Sequence, residues 1–561
     1  MTIQDYARKV EAFAKDHAAT SEEGARSGPA ADWSAPLGRV VSVSGSQVIL
    51  LLDGARGEPV GGPRAVQMGT LVKMRTPESV VFGMVGGLSV PIPAQRAGEP
   101  EMRIVEVELV GEMVEGSNRS MQIFQRGVSF CPALGDEVHV ASQEDLRNVY
   151  ARPAVPSARV GTIYQDQTLP AFVSVDDLLG KHFAILGTTG SGKSCAVAAI
   201  LRGILSDHDT AHVLLLDLHN EYTRAFEDCA EILDTGELEL PYWMLSFEEL
   251  KEIIIGRVEH READTAILKD AVIDAKDSYH EGSRQVGRLN ADVPVPYQMS
   301  DVLRRIDISL GKLNKPTDSA PYLRLKDRIS ALQSDRRYAF MFEEGLKVRD
   351  NMSAILSRLF RVPVDGKPLT ILDLSDVPSE IMNVVIALIC RLTFDFALWA
   401  EREAPILLVC EEAHRYAVQS GDVAFEPTRQ ALSRIAKEGR KYGVSLCLVS
   451  QRPSELSVGI LSQCNTIFAM RMSNQKDQEF VRATLSESAM GLLDSLPSLR
   501  TGEAIGVGEG VSIPVRLRFD LLPDAQRPRG GTANFSSAWK GNGAGDGTVA
   551  KIVERWRRQR F

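Results

Sequence analysis

Cysteine is sparse and unpatterned in this 561-residue chain. Its seven cysteines, at positions 131, 195, 229, 390, 410, 447 and 464, are odd in number and form no C-x-x-C pair. That excludes a disulfide framework or a zinc scaffold and predicts reduced, mostly buried thiols in a cytoplasmic protein. Long hydrophobic runs are also missing: no stretch is expected to approach the ~20 apolar residues of a membrane span. The opening MTIQDYARKVEAFAKDH is amphipathic and charged, so it does not read as a signal peptide. No membrane partner is therefore expected. Positive charge is in deficit, with 64 Lys and Arg against 74 Asp and Glu and a net charge of −10. A global basic field is excluded, while a local basic channel is not. No second acidic cluster suited to a nuclease metal centre stands apart from the motifs described next. With 44% hydrophobic and 25% charged residues, the composition fits an ordinary globular protein of two to four domains.

The most informative stretch is His182-Phe183-Ala184-Ile185-Leu186-Gly187-Thr188-Thr189-Gly190-Ser191-Gly192-Lys193-Ser194. It reads strand, glycine-rich turn, helix, and fits the phosphate-loop spacing G-x-x-x-x-G-K-[ST]. The glycines let the backbone curl so that its N–H groups face phosphates. Lys193 would reach the β- and γ-phosphates, and the Ser194 hydroxyl would hold Mg²⁺. The helix Cys195 to Leu205 starts with its positive dipole end at the anion. The loop Gly187, Thr188, Thr189, Gly190, Ser191, Gly192, Lys193 and Ser194 thus predicts binding of a nucleoside triphosphate, with ATP and Mg²⁺ as the expected pair.

The rest of the chain organises around that loop. Residues 1–35 read as a flexible extension with a short helix, Tyr6 to His17. Residues 36–150 hold short apolar runs separated by Gly/Pro turns, including a hairpin signal at Gly45-Ser46, which predicts a small β-barrel for oligomer or partner contact. Arg152 to Pro170 reads as a linker. Residues 151–239 and 366–500 alternate apolar strands with helices, which predicts a largely parallel sheet. The strand His212 to Asp217 ends in polar Asp217, His219 and Glu221. These are either the edge of a ligand site at the strands' carboxyl ends or a capped strand end. Residues 240–365 predict a helical insertion. Its basic cluster of Arg324, Lys326, Arg328, Arg336 and Arg337 reads either as a solvated helix face or as a phosphate-backbone contact. Residues 501–561 turn β-like at Glu503 to Val507 and Val511 to Phe519, and end in a basic helix, Val549 to Arg560.

Downstream, Pro405 to Val409 leads into Cys410-Glu411-Glu412, an apolar strand followed by two carboxylates. This is the Walker B pattern, in which one carboxylate holds Mg²⁺ and the next polarises the attacking water. Glu411 takes the metal role and Glu412 the base role. The strand Val444 to Val449 ends at Ser450-Gln451, and a glutamine there can sense the γ-phosphate or orient water.

Together these segments resemble the HerA family of HerA–FtsK-type P-loop ATPases. The resemblance covers about residues 37–520 and rests on GRVVSVSGSQV, KHFAILGTTGSGKS, LLLDLHNEY, ILLVCEEAHRY, IAKEGRKYGVSLCLVSQRPSEL and MRMSNQKD. It implies an α/β fold: a RecA-like P-loop ATPase core with an N-terminal β-barrel and a helical insertion. It further implies a homohexameric ring that threads double-stranded DNA. Its partner would be a nuclease of the NurA-like kind or, in bacterial phage defence, an effector such as a sirtuin-like NAD hydrolase. By the same resemblance Glu412 is the catalytic base and Gln451 the sensor, and a cation donated by the neighbouring subunit completes the site. Arg440 is the first choice for that cation. Lys437 and Lys181 stand where many relatives carry arginine, and lysine lacks arginine's planar bidentate grip. Glu411 replaces the more usual aspartate and lengthens the reach to Mg²⁺. The competing reading is an ATP-regulated ring scaffold that assembles and activates an effector without processive translocation.

Overall fold

The computed structural model describes residues 33, 35–52, 66–90, 103–114, 124–234, 237, 240–256, 261–280, 289–312, 319–342, 348–419, 425–485, 490–530, 535–540 and 547–558. The expected helix Tyr6 to His17 lies outside them. In chain order the strands are β1 Gly38–Ser44, β2 Gln47–Leu52, β3 Leu71–Arg75, β4 Ser79–Ser89, β5 Ile104–Val114, β6 Phe124–Arg126, β7 Glu137–Val140, β8 Ser157–Ile163 and β9 Pro170–Ser174. They continue with β10 Phe183–Leu186, β11 His212–Asp217, β12 Ala230–Leu233, β13 Leu369–Asp373, β14 Ile406–Cys410, β15 Val444–Ser450, β16 Thr466–Met470, β17 Glu503–Gly508 and β18 Val515–Phe519. The chain divides into two compact units. The first comprises Met1–Leu178, Ile185–Ile204 and Asn465–Leu521, and the second comprises Leu179–Ala184, Leu205–Cys464 and Leu522–Phe561.

The first unit contains the barrel. Strands β2, β1, β7, β3, β4 and β5 follow one another as antiparallel neighbours, and β2 pairs back onto β5, so six strands close on themselves. Closure removes the sheet edges that would otherwise template aggregation. The β1–β2 hairpin turns at Gly45, whose φ of +60° is open to glycine without a Cβ clash. Val40, Val48, Leu50, Val72, Met74, Val81, Val105 and Val138 alternate inward to fill the barrel. Each such side chain contributes about 1.5–3 kcal/mol of burial. A polar knot closes one side: buried Glu112 accepts from Ser79 Oγ at 2.8 Å and from the Ser129 N–H at 3.1 Å. Burial raises its pKa, but the bonds from Ser129 and Ser79 outweigh it and leave the carboxyl below its ordinary value.

The same unit holds the phosphate-loop helix Lys193–Leu205 and an antiparallel run, β16, β17, β18, β8 and β9. Two expectations are corrected there. Arg152 to Pro170 is not a linker, since Ser157–Ile163 and Pro170–Ser174 pair as a hairpin. Its β-branched residues satisfy strand geometry, and the prolines that suggested a linker lie at or outside the strand ends. The expected strand Val511 to Phe519 begins only at Val515.

The second unit carries five parallel strands in the order β12, β13, β11, β14, β15. The expectation of a largely parallel sheet therefore holds in this unit and not in the first. Register places Asp217 opposite Asp373, and Leu216 opposite Cys410, so the carboxyl ends of β13, β11 and β14 form one edge. The central strands β11, β14 and β15 are predominantly apolar and buried, as strands covered on both faces must be. Helix Ser379–Trp399 is one cover. Its stretch Ile381–Trp399 is long and apolar enough to cross a membrane by length and composition, which corrects the expectation that no segment approached that length. Some 72% of it is buried inside the protein, as a central core helix requires. Helix Glu426–Tyr442 lies beside it, with Phe394 and Tyr442 ring centroids 5.5 Å apart and the Arg434 guanidinium 4.0 Å over the Phe394 ring.

Between β12 and β13 run the helices Phe247–Ile254, Glu262–His280, Met299–Gly311, Ala320–Ser334 and Met352–Phe360. Arg391 of the core helix binds Glu249 at 3.0 Å, tying this helical segment to the sheet layer. The basic cluster is turned to internal use: Arg324 pairs with buried Asp264 at 2.6 Å and Arg337 with Asp335 at 2.7 Å, and Lys326 pairs with Asp307 at 2.5 Å. Those partners support the solvated-face alternative at these three residues.

Candidate nucleotide-binding and hydrolysis site

The phosphate loop is built within the first unit. β10 delivers the chain into Gly187, and two glycines then take left-handed backbone, Gly190 at φ +74° and Gly192 at +100°. A Cβ on Gly187 would stand 2.8 Å from both Met470 Cβ and Ser191 Oγ, so only glycine fits. The loop is braced from behind by the segment after β16. Thr188 donates from its N–H and its hydroxyl to the Arg471 carbonyl, at 2.9 and 3.0 Å. Gly502 N–H donates to the Ser191 carbonyl at 2.9 Å, and Thr501 Oγ1 and an Arg471 guanidinium nitrogen reach the Gly190 carbonyl at 3.2 and 3.3 Å. Lys193 is 6% exposed, and its Nζ donates to the Thr188 carbonyl at 3.2 Å. An ammonium folded back on its own loop is poised to exchange that weak neutral acceptor for a phosphate, the stronger charge-assisted one. Ser194 and Thr189 lie on the same loop–helix junction, where the helix N-terminus concentrates positive potential.

The carboxylate cluster is built within the second unit, at the carboxyl ends of β11, β14 and β15. Asp217 ends β11 fully buried and accepts from the backbone N–H groups of His219, Glu221 and Tyr222 at 3.2, 3.2 and 2.9 Å. Asp217 is therefore a strand-end cap. Burial pushes its pKa up while those three bonds pull the other way. The turn it holds seats Tyr222, whose hydroxyl donates to Glu411 Oε2 at 3.1 Å. The Tyr416 hydroxyl donates to the Glu411 backbone carbonyl at 2.7 Å. Glu411 thus emerges from β14 with both backbone and carboxylate oriented by buried tyrosines.

Glu412 stands at φ +47°, a left-handed conformation that a non-glycine residue holds only where its surroundings enforce it. It is 4% exposed. Gln451, at the end of β15, donates from Nε2 to Glu412 Oε1. His414 Nδ1 approaches Glu412 Oε2 at 3.2 Å, and Ser450 Oγ lies 3.4 Å from the same nitrogen. Burial pushes the His414 pKa below its ordinary value, against the pull of the Glu412 charge. The expected base and the expected sensor are therefore brought into direct contact. A buried carboxylate held by a glutamine amide is chemically able to accept a proton.

The three expected cations also belong to this unit. Arg440 and Lys437 are exposed on helix Glu426–Tyr442, and Lys181 precedes β10. Sequence reading missed Tyr222, Tyr416, His414, Arg471 and Thr501. His414 and Tyr416 carried a local signal, two and four residues beyond Glu412; the others reach the site from distant segments.

A parallel sheet with a phosphate loop, a paired-carboxylate strand end and a glutamine on the adjoining strand defines a P-loop ATPase. The family model described as the central domain of helicase HerA matches residues 158–393. The DNA double-strand break repair helicase HerA of Pyrococcus furiosus is 26% identical over 466 residues, 76% of this chain and 78% of that protein. Its counterpart in Sulfolobus acidocaldarius is 28% identical over 422 residues, 73% and 77% of the two chains. The chain is thus similar to the HerA helicases over about three quarters of its length. Among solved structures, VirB4 of Thermoanaerobacter pseudethanolicus matches 67% of this chain and 99% of its own, with 15% identity and a TM-score of 0.46. The conjugative coupling protein TrwB lacking its first 70 residues matches 70% and 94%, with 13% identity and a TM-score of 0.45.

Proposed function

We propose that this chain is a homohexameric ring ATPase that hydrolyses ATP to translocate along double-stranded DNA. It would act with a partner enzyme, either a NurA-like nuclease in DNA-end processing or an effector such as a sirtuin-like NAD hydrolase in phage defence. The observation that carries hydrolysis is the clamp on Glu412, a buried carboxylate held by Gln451 on the neighbouring strand. DNA as the track is supported by the relatives, named as DNA repair helicases. Seven free thiols support a reducing, cytoplasmic setting.

Backbone N–H groups of residues 188–194 and the Lys193 ammonium bind the triphosphate. Ser194 and Glu411 offer hard oxygen donors of the kind Mg²⁺ accepts alongside phosphates and water, and among the described residues no three His, Cys, Asp or Glu side chains form a separate metal cluster. The bound ion would neutralise phosphate charge. Gln451 orients the attacking water, Glu412 takes its proton, and the γ-phosphoryl group passes to that water, leaving ADP and phosphate. Arg440 of the adjacent subunit, with Lys437 and Lys181 beside it, meets the charge that develops on the transferring group.

Purified protein should form rings whose ATPase rate rises with duplex DNA and loses that stimulation steeply as salt increases. Rings that neither bind duplex at low salt nor change rate with it would sink the translocase reading. The scaffold alternative predicts something different: Glu412→Gln rings would retain full activation of the partner enzyme.

A further inference from the structure

His182 has no part in the hydrolytic step, yet it is held with unusual firmness. It is 2% exposed and stands at φ +56° immediately before β10. Left-handed backbone is unfavourable for a residue bearing a Cβ and persists where the surroundings determine it. What determines it is the imidazole, which makes two bonds, both to backbone. Nε2 lies 3.1 Å from the Ala436 carbonyl oxygen, and Nδ1 accepts the Leu446 N–H at 3.0 Å. A carbonyl only accepts and an amide N–H only donates, so the ring carries its proton on Nε2. Burial, joined by the charge of Arg440, pushes the imidazole pKa down against the pull of the carbonyl bonds, which keeps the ring in this neutral form.

The two backbone groups it grips are not arbitrary. Leu446 lies on β15, the strand that ends at Gln451. Ala436 lies on helix Glu426–Tyr442, and its carbonyl is the one that faces the N–H of Arg440 in the helical ladder. Arg440 lies one turn on from Ala436, and its charge reaches the imidazole; Lys437, three positions before Arg440, shares Arg440's face of the helix. Lys181 is joined to His182 by a peptide bond.

We propose that His182 is a positioning residue that fixes Lys181, Lys437 and Arg440 as one rigid cationic patch, which each subunit presents to the nucleotide of its neighbour. The proposal rests on the ring reading above, in which those cations act across the subunit boundary. Its physical content is pre-organisation. Cations on long exposed side chains stabilise transition-state charge only when their backbones are held in place beforehand, and a shift of about 1 Å can cost about a hundredfold in rate. A single neutral imidazole spans the strand entry, the cation helix and the sensor strand, and holds the three backbones in one register.

The test uses assembled rings with duplex DNA. His182→Leu keeps apolar volume but removes both bonds. It should lower kcat for ATP about tenfold or more while leaving KM within about threefold, because the phosphate loop is untouched. His182→Gln offers one donor and one acceptor on a flexible amide and should recover most of the loss. An unchanged kcat in His182→Leu would overturn the proposal. Mixed rings separate a trans role from an ordinary core histidine. Subunits carrying His182→Leu keep their own Glu412, and subunits carrying Glu412→Gln keep their own His182. Co-expressed, they should form rings more active than rings of either parent, because some interfaces then pair an intact base with an intact cation patch. Arg440→Ala co-expressed with Glu412→Gln is the control. If the control pair complements and the His182 pair does not, His182 acts within its own subunit and the proposal falls while the ring reading stands. If neither pair complements, the cations are not donated across subunits, and both fall. Should His182→Leu fail to assemble, His182→Asn replaces it in the same mixtures, since asparagine tolerates the left-handed backbone but cannot span both bonds.

Discussion

The phosphate loop and the carboxylate cluster are assembled in opposite ways. The loop is local: eight consecutive residues, 187 to 194, form it, and two glycines at positive φ give it its shape. The cluster is non-local: Glu412 and Gln451 are 39 positions apart, and Tyr222 reaches Glu411 across 189. A local device needs particular residue types at fixed spacing, because its backbone does the binding. A non-local device needs a sheet to bring strand ends together, and its side chains do the chemistry. The loop should therefore govern how tightly nucleotide is held, and the cluster how fast it is cleaved.

Substitutions can break that division. The largest effect is expected from Glu412→Gln, which keeps the bond to Gln451 possible but removes the proposed base. It should lower kcat by about 10²–10⁴ with little change in KM, read from steady-state ATPase assays. A Glu412→Gln variant that lost nucleotide affinity instead would contradict the split. Lys193→Ala should weaken nucleotide binding by about 10–100-fold, the worth of a charged hydrogen bond, measured by calorimetric titration. Gln451→Leu should lower kcat about tenfold with affinity retained, since it leaves Glu412 without its amide partner. Gly192→Ala places a Cβ at φ +100° with Gly502 N 3.1 Å away, and that strain of about 1–3 kcal/mol should fall on affinity rather than on kcat.

The helical segment supplies a control outside both regions. Lys276 is 1% exposed and its Nζ donates to the Ala291 and Val293 carbonyls at 2.6 and 2.7 Å. Lys276→Met should reduce stability by about 1–3 kcal/mol through two stranded acceptors while leaving kcat and KM alone, as judged by urea unfolding alongside ATPase assays. Burial pulls the Lys276 pKa down to about 8 from 10.5. Between those values the unfolded chain binds this proton more tightly than the folded one, so the group's contribution to stability rises with pH. The gap between wild type and Lys276→Met in urea midpoint should therefore widen from pH 8 to 10; a constant gap would show that the ammonium is not desolvated.

Legibility followed the same local and non-local divide. Gly187 to Ser194 could be read directly, because the motif is its own structure. Glu411 and Glu412 could be read because an apolar run ending in two acids is a strand end. Asp217 stayed ambiguous until the turn beyond it was seen, since a carboxylate that caps three N–H groups and one that faces a ligand look alike in sequence. The basic cluster of the helical segment was ambiguous for a related reason. Arg324 and Lys326 are charges whose partners, Asp264 and Asp307, lie 60 and 19 positions away. The hairpin at 157–174 was hidden by the prolines around it, which mark loops and strand ends equally.

By itself the sequence determined the phosphate loop, the paired carboxylates, the strand–helix alternation of the core and the closed set of short strands before it. Each rests on spacing within one segment, where backbone geometry follows from neighbouring residues. Only the tertiary structure decided that Gln451 holds Glu412, that Tyr222 orients Glu411, that Arg471 and Thr501 brace the loop, and that His182 spans Ala436 and Leu446. Those contacts join residues whose separation along the chain says nothing of their separation in space. They exist because parallel strands align their carboxyl ends and because buried polar groups must find partners wherever the fold brings them.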